Sequence, residues 1–344
     1  MALHRIHVAV LDTDVPCASI YIKRGLYSSQ FRVLLQAAAE RINKHANINP
    51  QDGPLAVHVT AFDVVGGSLP PLNALRTTPR TSTESHIGPF SAIDAIIITG
   101  SGASAYDQIP WITELQSFIQ TVYTDYPLVK LFGACFGHQL IAQALLSTPT
   151  SHVPLTNTFN VQPAQTGFEV GIHPITLDPS FTAQFPSLAR TASKGPLRLQ
   201  LIHGDQVLPT PQAVAAATST GQTSVSLPAP WMSIGKSAAC PVQGLYNPGR
   251  VLTYQAHVEF DTFVTGELAR EFGRRMGWSF DVVAGYLDRI NEAWVPGQDD
   301  DDDSKAAAEA VVLFFAGLEQ GCLKFEGVQL VDGLMTPPLE EISA

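Results

Sequence analysis

Cys135 lies in a stretch of sequence that favours a reactive thiol. An apolar run suited to a buried strand ends at Gly133, Gly137 follows at the same distance on the other side of the cysteine, and an apolar helical pattern begins soon after. This is the spacing of a nucleophile elbow with Cys in place of Ser, and residues without a Cβ permit its tight strand-to-helix turn. The positive end of the helix would favour the thiolate. The alternative is a small buried hydrophobic residue, and the segment alone leaves both interpretations open.

A cysteine nucleophile needs a base, usually a histidine that a third polar group orients. His257 follows a strand pattern, precedes a helix and is followed two residues later by Glu259. In an extended segment residues i and i+2 project to the same side, so Glu259 can orient the ring. The other interpretation is a loop histidine near an acid, but together with the elbow the pair favours a Cys-His-Glu triad. His138, on the first turn of the helix after Cys135, is disfavoured as a base by the helix dipole.

Strands and helices alternate through the first half of the chain. Strand patterns at 5–12, 55–65, 92–100 and 128–132 are separated by helical patterns at 28–44 and 111–126. This order predicts an open, doubly wound, mostly parallel α/β sheet with ligands at the carboxyl ends of its strands. Segments 167–178 and 197–208 predict antiparallel strands, 240–256 predicts two strands around a turn, and 210–231 has no assignment.

The second half predicts helices at 262–276, 280–293 and 305–318. We therefore expect one domain over 1–276 and a helical extension over 277–344 packed on it. The acidic run at 299–303 lacks the spaced oxygens and central glycine of a calcium loop, which favours a solvated linker. Segment 70–89, rich in Pro, Thr and Ser, predicts a surface excursion.

Composition limits the classes of partner. The chain has 344 residues, 45% of them hydrophobic and 15% charged, with a net charge of −11. This is enough apolar material for a large core, and the lack of excess Lys and Arg argues against a nucleic-acid partner. The four cysteines form no CxxC pair, so we expect no disulfide framework, metal or cofactor. No signal-peptide or membrane-span pattern occurs, and we expect a soluble cytoplasmic protein without a membrane partner.

Four motifs together resemble the class I glutamine amidotransferase family, whose marks are GxCxGxQ and a later HPE. The chain has GACFGHQ at 133–139 and QAHVEF at 255–260. ITGSGASAYD at 98–107 is similar to the glycine-rich turn of the family, and HGDQV at 203–207 and GFEVG at 167–171 to its substrate-facing segments. The resemblance covers about 5–265. It departs from the family in HVE for HPE, in GSG for GGP and in a long segment after the triad.

The resemblance implies a flavodoxin-like glutaminase fold and a role for each triad residue. Cys135 would attack the γ-carbonyl of a glutamyl group, and His257 would act as acid and base while Glu259 orients it. The oxyanion would be held by the backbone N–H of Phe136 and by that of Ser101 or Gly102. Three residues are candidates to bind the α-amino and α-carboxyl groups of a small γ-glutamyl substrate: Gln139, His203 and Asp205. For Asp205 a plain turn residue is the alternative.

The resemblance leaves three hypotheses about function. The chain has no GxxxxGK[ST] loop, and it looks like the free-standing branch that resembles γ-glutamyl peptidases. The first hypothesis is a thiol hydrolase that cleaves the γ-glutamyl amide of glutamine, glutathione or a glutathione conjugate. The second is a glutaminase subunit that supplies ammonia to a separate synthase chain. The third is a catalytically silent binding protein. The motifs do not identify the leaving group or the oligomeric state.

Overall fold

The computed structural model describes residues 4–45, 54–79, 91–147, 158–294, 302–319, 329–331 and 334–336. Half of the predicted excursion, 80–89, and part of the acidic run, 299–301, lie outside these described residues. Among the described helices, none combines the length and the apolar character needed to span a bilayer.

Short and long strands alternate with helices along the chain. The strands are β1 His4–Asp12, β2 Leu55–Asp63, β3 Ala95–Ile98, β4 Lys130–Ala134, β5 Phe159–Pro163, β6 Glu169–Ile172, β7 Thr176–Leu177, β8 Gln200–His203, β9 Asp205–Pro209, β10 Met232–Ser233, β11 Gly235–Lys236, β12 Leu245–Asn247, β13 Val251–Tyr254, β14 Gln329–Val331 and β15 Leu334–Thr336.

The helices pack on both faces of the main sheet and beyond its ends. They are α1 Ala18–Arg24, α2 Tyr27–His45, α3 Pro110–Asp125, α4 Phe136–Ala142, α5 Pro179–Thr182, α6 Pro186–Ala192, α7 Pro211–Ser219, α8 Thr262–Met276, α9 Phe280–Asn291 and α10 Ser304–Ala316. A 3₁₀ turn spans Leu72–Ala74, and α4 continues as a π-helical turn over Gln143–Ser147.

One seven-stranded sheet organises the molecule. Its order is β10-β12-β13-β4-β3-β1-β2; the five strands from β13 to β2 are parallel, and β12 and β10 extend that edge antiparallel. Small antiparallel pairs form between β5 and β9, β6 and β8, β7 and β11, and β14 and β15. The predicted open, mostly parallel sheet flanked by helices, with a small antiparallel element, is confirmed.

The alternation of side chains along β1 explains why both faces of the sheet are covered. Val8 and Val10 belong to one core cluster, which includes residues of α2 and α10, whereas Ala9 and Leu11 belong to the other, which includes residues of α3 and α4. All four side chains have 0% exposure. A strand that is apolar on both faces must be buried on both, which is why this segment has no polar alternation.

Two segments of the middle region differ from the expected continuous strands. Segment 197–208 divides into β8 and β9 because the chain turns at Gly204, where an added Cβ would lie 2.6 Å from the ring of Phe168. Segment 167–178 divides into β6 and β7, which pair with β8 and β11. The unassigned segment 210–231 contains α7, whose first turn is capped by the Thr210 side chain accepting the N–H of Ala213 at 3.3 Å.

The region after residue 276 packs on the rest of the chain. Helix α9 contacts β6 and α8, and α10 contacts α2 and α6. The buried Glu319 carboxylate accepts the Tyr246 hydroxyl at 2.7 Å and the Gly249 N–H at 3.1 Å, and lies 3.0 Å from Lys130 Nζ. The antiparallel pair β14 and β15 adds strands to the region expected to be helical. The division at residue 276 itself stays a prediction.

Candidate active site

Cys135 lies on a strained turn between β4 and α4. Its φ of 50° and ψ of −108° make it the one non-glycine residue with positive φ in the described part of the chain. A Cβ on Gly133 would lie 2.4 Å from the backbone of Gly137, and a Cβ on Gly137 would lie 2.2 Å from the carbonyl oxygen of Ile98. Close backbone packing therefore requires both glycines, and the turn places Cys135 at the carboxyl end of the sheet.

The structure brings Cys135, His257 and Glu259 together. Cys135 and His257 line the same small space, and the Cys135 thiol donates to the carbonyl of Ile202 at 3.6 Å. On the other side of the ring, Nδ1 of His257 lies 2.8 Å from Oε1 of Glu259, with side-chain exposures of 3% and 0%. The loop that carries both residues is anchored by the N–H of His257, which donates to the carbonyl of Gln200 at 2.9 Å.

The charge state of His257 follows from these neighbours. Burial opposes the charged ring, but the charges of Glu259 and Cys135 outweigh burial and raise the pKa of His257 to about 10. A protonated imidazole beside Cys135 favours the thiolate, which is the nucleophilic form. The His257 ring is therefore placed to act as a proton donor next to the thiol.

Neighbouring rings and backbone restrict the orientation of His257. The ring of Phe260 stacks parallel to it, with 3.8 Å between centroids and 6° between planes. Tyr27 packs against Phe260 at 5.6 Å. Gly100 approaches the ring so closely that an added Cβ would lie 2.8 Å from Cε1 of His257. Small shifts of the imidazole are thus opposed by packing as well as by Glu259.

The predicted oxyanion donors surround Cys135 in two segments. Phe136 directly follows Cys135 at the start of α4, and Ser101 and Gly102 line the space next to the thiol. The N–H of Gly102 donates to Oδ2 of Asp14 at 2.9 Å. Because that N–H already has an acceptor, the geometry favours Ser101 over Gly102 as the second donor.

A cavity of about 350 Å³ opens at Cys135, and Asp205 lies in its wall. The Asp205 carboxylate accepts the Ser104 hydroxyl at 2.6 Å and the Tyr106 hydroxyl at 3.2 Å. Gln139 also lines the cavity, and its side-chain amide donates to the backbone carbonyl of Asp205 at 3.0 Å. Asp205 therefore presents an oriented negative charge to the cavity, while Gln139 holds its backbone.

His203 lines the same cavity, but both of its ring nitrogens face protein atoms. Nδ1 lies 3.0 Å from the carbonyl oxygen of Asp205, and Nε2 lies 3.1 Å from Oε2 of Glu169. The Glu169 carboxylate also accepts the Ser237 hydroxyl at 2.6 Å. Burial alone would raise the pKa of Glu169, but the hydrogen bonds from His203 and Ser237 hold it below its usual value. This geometry favours His203 as an anchor of the cavity wall.

Glu169, His203 and Cys240 form a buried group whose ligand atoms lie within 4.8 Å of one another, a combination that can bind a metal ion. The sequence spacing of these residues does not indicate such a group, because the three residues come from separate segments. The Cys240 thiol donates to the carbonyl of Val242 at 3.4 Å, and burial raises the pKa of Cys240 to about 12. The thiol is therefore protonated, and the group acts as a polar network behind the cavity wall.

Sequence reasoning missed several residues that complete the site. Ser104 lies in the glycine-rich segment, and its hydroxyl group was the available signal; Tyr106 is a candidate for an apolar rim from its sequence, but its bond to Asp205 was not predicted. Phe260 directly follows Glu259. Asp14, just after β1, and Phe272, on α8, reach the site only through the tertiary fold. Segment 210–231, which has no assignment from its sequence, contributes no residue to this cavity and lines a separate one of about 730 Å³.

Comparison with known proteins adds an independent finding. No protein-family model matches the chain. A protein of Schizosaccharomyces pombe named glutamine amidotransferase-like is 26% identical over 273 residues, which cover 77% of this chain and 83% of that protein. A protein of Saccharomyces cerevisiae that carries the name glutamine amidotransferase is 32% identical over 173 residues, 49% of this chain and 54% of its own length. The chain is thus similar in sequence to proteins named glutamine amidotransferase-like.

Solved structures titled glutamine amidotransferase also align with the chain. One from Thermotoga maritima covers 90% of the chain and 98% of its own length, at 14% identity and a TM-score of 0.49. One from Methylobacillus flagellatus covers 96% and 99%, at 13% identity and a TM-score of 0.46. The fold described above is defined by the strand order of the chain itself.

The structure around His257 accommodates the HVE departure from the expected HPE motif. Val258 replaces the proline and is 2% exposed, so its side chain packs in the core. The neighbouring His257 N–H bond to Gln200 anchors the loop. Core packing and this backbone bond supply the restraint that a proline would supply through its fixed φ.

Proposed function

We propose that this chain is a thiol hydrolase that cleaves the γ-glutamyl amide bond of glutamine, glutathione or a glutathione conjugate. The observation that carries the proposal is the contact between Cys135, on its strained turn, and a His257 ring that Glu259 holds in place. This contact lies beside a cavity whose wall carries the half-buried carboxylate of Asp205. Homology to proteins named glutamine amidotransferase-like supports amide hydrolysis as the reaction class.

In the first half of the reaction, the Cys135 thiolate attacks the γ-carbonyl carbon and forms a tetrahedral oxyanion. The backbone N–H groups of Phe136 and Ser101 stabilise this charge, and each donor of this kind lowers the barrier by roughly 3 kcal/mol. His257 then donates its proton to the leaving nitrogen as the C–N bond breaks. The products are an amine and a γ-glutamyl thioester on Cys135.

In the second half, His257 accepts a proton from water as the water oxygen attacks the thioester carbon. The C–S bond breaks, glutamate leaves, and the thiolate–imidazolium pair is restored. Glu259 stays ionised throughout and fixes the tautomer of the ring. No group beyond the chain and water is needed for the balance of atoms.

Recognition of the glutamyl group is assigned to the polar wall of the cavity. The Asp205 carboxylate, oriented by Ser104 and Tyr106, is suited to an α-ammonium group. The cavity of about 350 Å³ is within the size range of small-molecule sites. Gln139 and His203 maintain this wall through their contacts with the Asp205 backbone.

The test is glutamate release by the purified full chain from glutamine, glutathione and S-benzylglutathione. We expect release from at least one substrate, loss of release in Cys135→Ala, and a γ-glutamyl adduct on Cys135 by mass spectrometry of quenched reactions. The matched control is Cys17→Ser, because Cys17 is half-buried and lines neither space next to Cys135. Absence of glutamate from all three substrates with folded protein would contradict the proposal.

A further inference from the structure

The cavity at Cys135 has a second wall that the catalytic residues do not explain. Asp205 makes one wall polar, whereas this second wall is formed by three apolar side chains: Phe168, Phe272 and Met276. Phe272 and Met276 are one helical turn apart on α8, so they lie on the same face of that helix. Phe168 is held edge-on to Trp278 at 5.0 Å between centroids.

The leaving amine must lie near His257, which donates a proton to it, so the spaces around this ring limit where its substituent can extend. A smaller space of about 30 Å³ lies beside His257 and Cys135, enclosed by apolar side chains that include Tyr27, Phe260 and Phe272. It has room for a single water or ammonia molecule. The main cavity, at about 350 Å³, has room for a larger amine. Phe272 borders both spaces, so a larger substituent follows its ring into the main cavity.

At the mouth of that cavity the apolar wall is open to solvent. Met276 lines this cavity and is 51% exposed, so its side chain is accessible to a ligand that enters there. Methionine adapts its shape to apolar and aromatic groups. The path from Cys135 past Phe272 to Met276 is therefore suited to an apolar substituent.

The charges around the two spaces disfavour an anionic leaving group. Among the described residues that line either space, none is Lys or Arg. The nearby arginines of α8, Arg274 and Arg275, pair with Glu271. Asp205 lines the cavity, and Asp14 accepts from the turn beside Cys135. A carboxylate on the leaving amine would meet negative charge without a cation.

We propose that Phe168, Phe272 and Met276 form a leaving-group subsite for a neutral aromatic or branched aliphatic amine. The inference rests on the γ-glutamyl hydrolysis proposed above and narrows its substrate class to γ-glutamyl amides with an apolar N-substituent. Such a substrate uses both walls of the cavity, with the glutamyl ammonium at Asp205 and the amine substituent along α8.

The experiment compares γ-glutamyl-benzylamide, glutamine and glutathione with the full chain, by glutamate release. We expect kcat/KM for the benzylamide to exceed that for glutathione by about ten-fold or more, in line with the discrimination that apolar pockets give. Met276→Ser should lower kcat/KM for the benzylamide several-fold more than for glutamine, mainly through KM. Met276→Lys should improve glutathione relative to the benzylamide.

Phe280→Ser is the matched control, because Phe280 is 85% exposed on α9 and lines neither space. Turnover of glutamine or glutathione with an inert benzylamide would overturn the subsite and leave the proposed hydrolysis standing. Equal losses for all substrates in Met276→Ser would also overturn it. If no substrate releases glutamate, the proposed function fails and the subsite fails with it.

Discussion

Replacing Glu259 by Gln tests the link between His257 and catalysis. The carboxylate lies 2.8 Å from Nδ1 of His257, and both side chains are almost completely buried. Removing one partner of a buried charge pair costs roughly 3–5 kcal/mol. If that cost falls on the transition state, kcat/KM falls by about 10² to 10⁴, because each 1.36 kcal/mol is ten-fold. The amide of Gln keeps the volume of the side chain, so packing is preserved.

The same variant has a second readout in the pH profile. In the wild-type chain, Glu259 and Cys135 overcome burial and raise the pKa of His257 to about 10. Without the carboxylate, burial lowers that pKa, so the alkaline limb of kcat/KM shifts to lower pH. The raised pKa also stabilises the folded state, fully below pH 6.5 and progressively less as the pH rises to about 10. The free energy of unfolding in urea should therefore change less with pH in Glu259→Gln than in the wild-type chain.

Glutamate release across pH 6 to 10 measures the first effect, and urea unfolding over the same range measures the second. Glu267→Gln is the matched control, because Glu267 pairs with Arg270 at the surface of α8. Glu259→Gln with activity within three-fold of wild type and an unmoved alkaline limb would refute the reasoning. It would show that the contact orients no catalytic proton.

Two further predictions concern the frame that holds the site. Gly137→Ala should prevent normal folding or abolish glutamate release, because the added Cβ would lie 2.2 Å from the carbonyl oxygen of Ile98. The control is Gly285→Ala, which has open space around the added Cβ and should unfold at the same or a higher urea concentration. Glu319→Ala should lower the free energy of unfolding by about 3–5 kcal/mol in urea titrations, because it leaves Lys130 without its buried partner. Normal folding and activity in Gly137→Ala, or an unchanged urea midpoint in Glu319→Ala, would contradict these two accounts.

Local pattern was sufficient for every strand of the main sheet except β10, which has only two residues. The helix predicted at 262–276 begins and ends where α8 does, because Asp261 caps its first turn and Gly277 adopts the left-handed conformation at its end. Segment 210–231 escaped assignment because its helix is short, Ala-rich and exposed on most sides, which leaves little apolar periodicity. The divided strands of the middle region depend on pairing partners far along the chain, which periodicity does not contain.

For the site, the sequence by itself determined the turn at Cys135 and the adjacency of His257 to Glu259. Both are short-range features: two glycines that close backbone packing requires, and an i, i+2 pair in one loop. Only the tertiary structure decided that Cys135 meets His257, because parallel pairing of β4 with β13 brings the carboxyl ends of two distant strands together.

The polar and apolar character of the cavity walls also depends on the tertiary structure. Asp14, Asp205 and Phe272 come from three distant segments, and nothing in their spacing indicates a common site. Side-chain direction at a cavity depends on which elements pack beside it, and α8 reaches Cys135 only by folding over β8. The sequence therefore determined which residues can react, and the fold decided which groups they face.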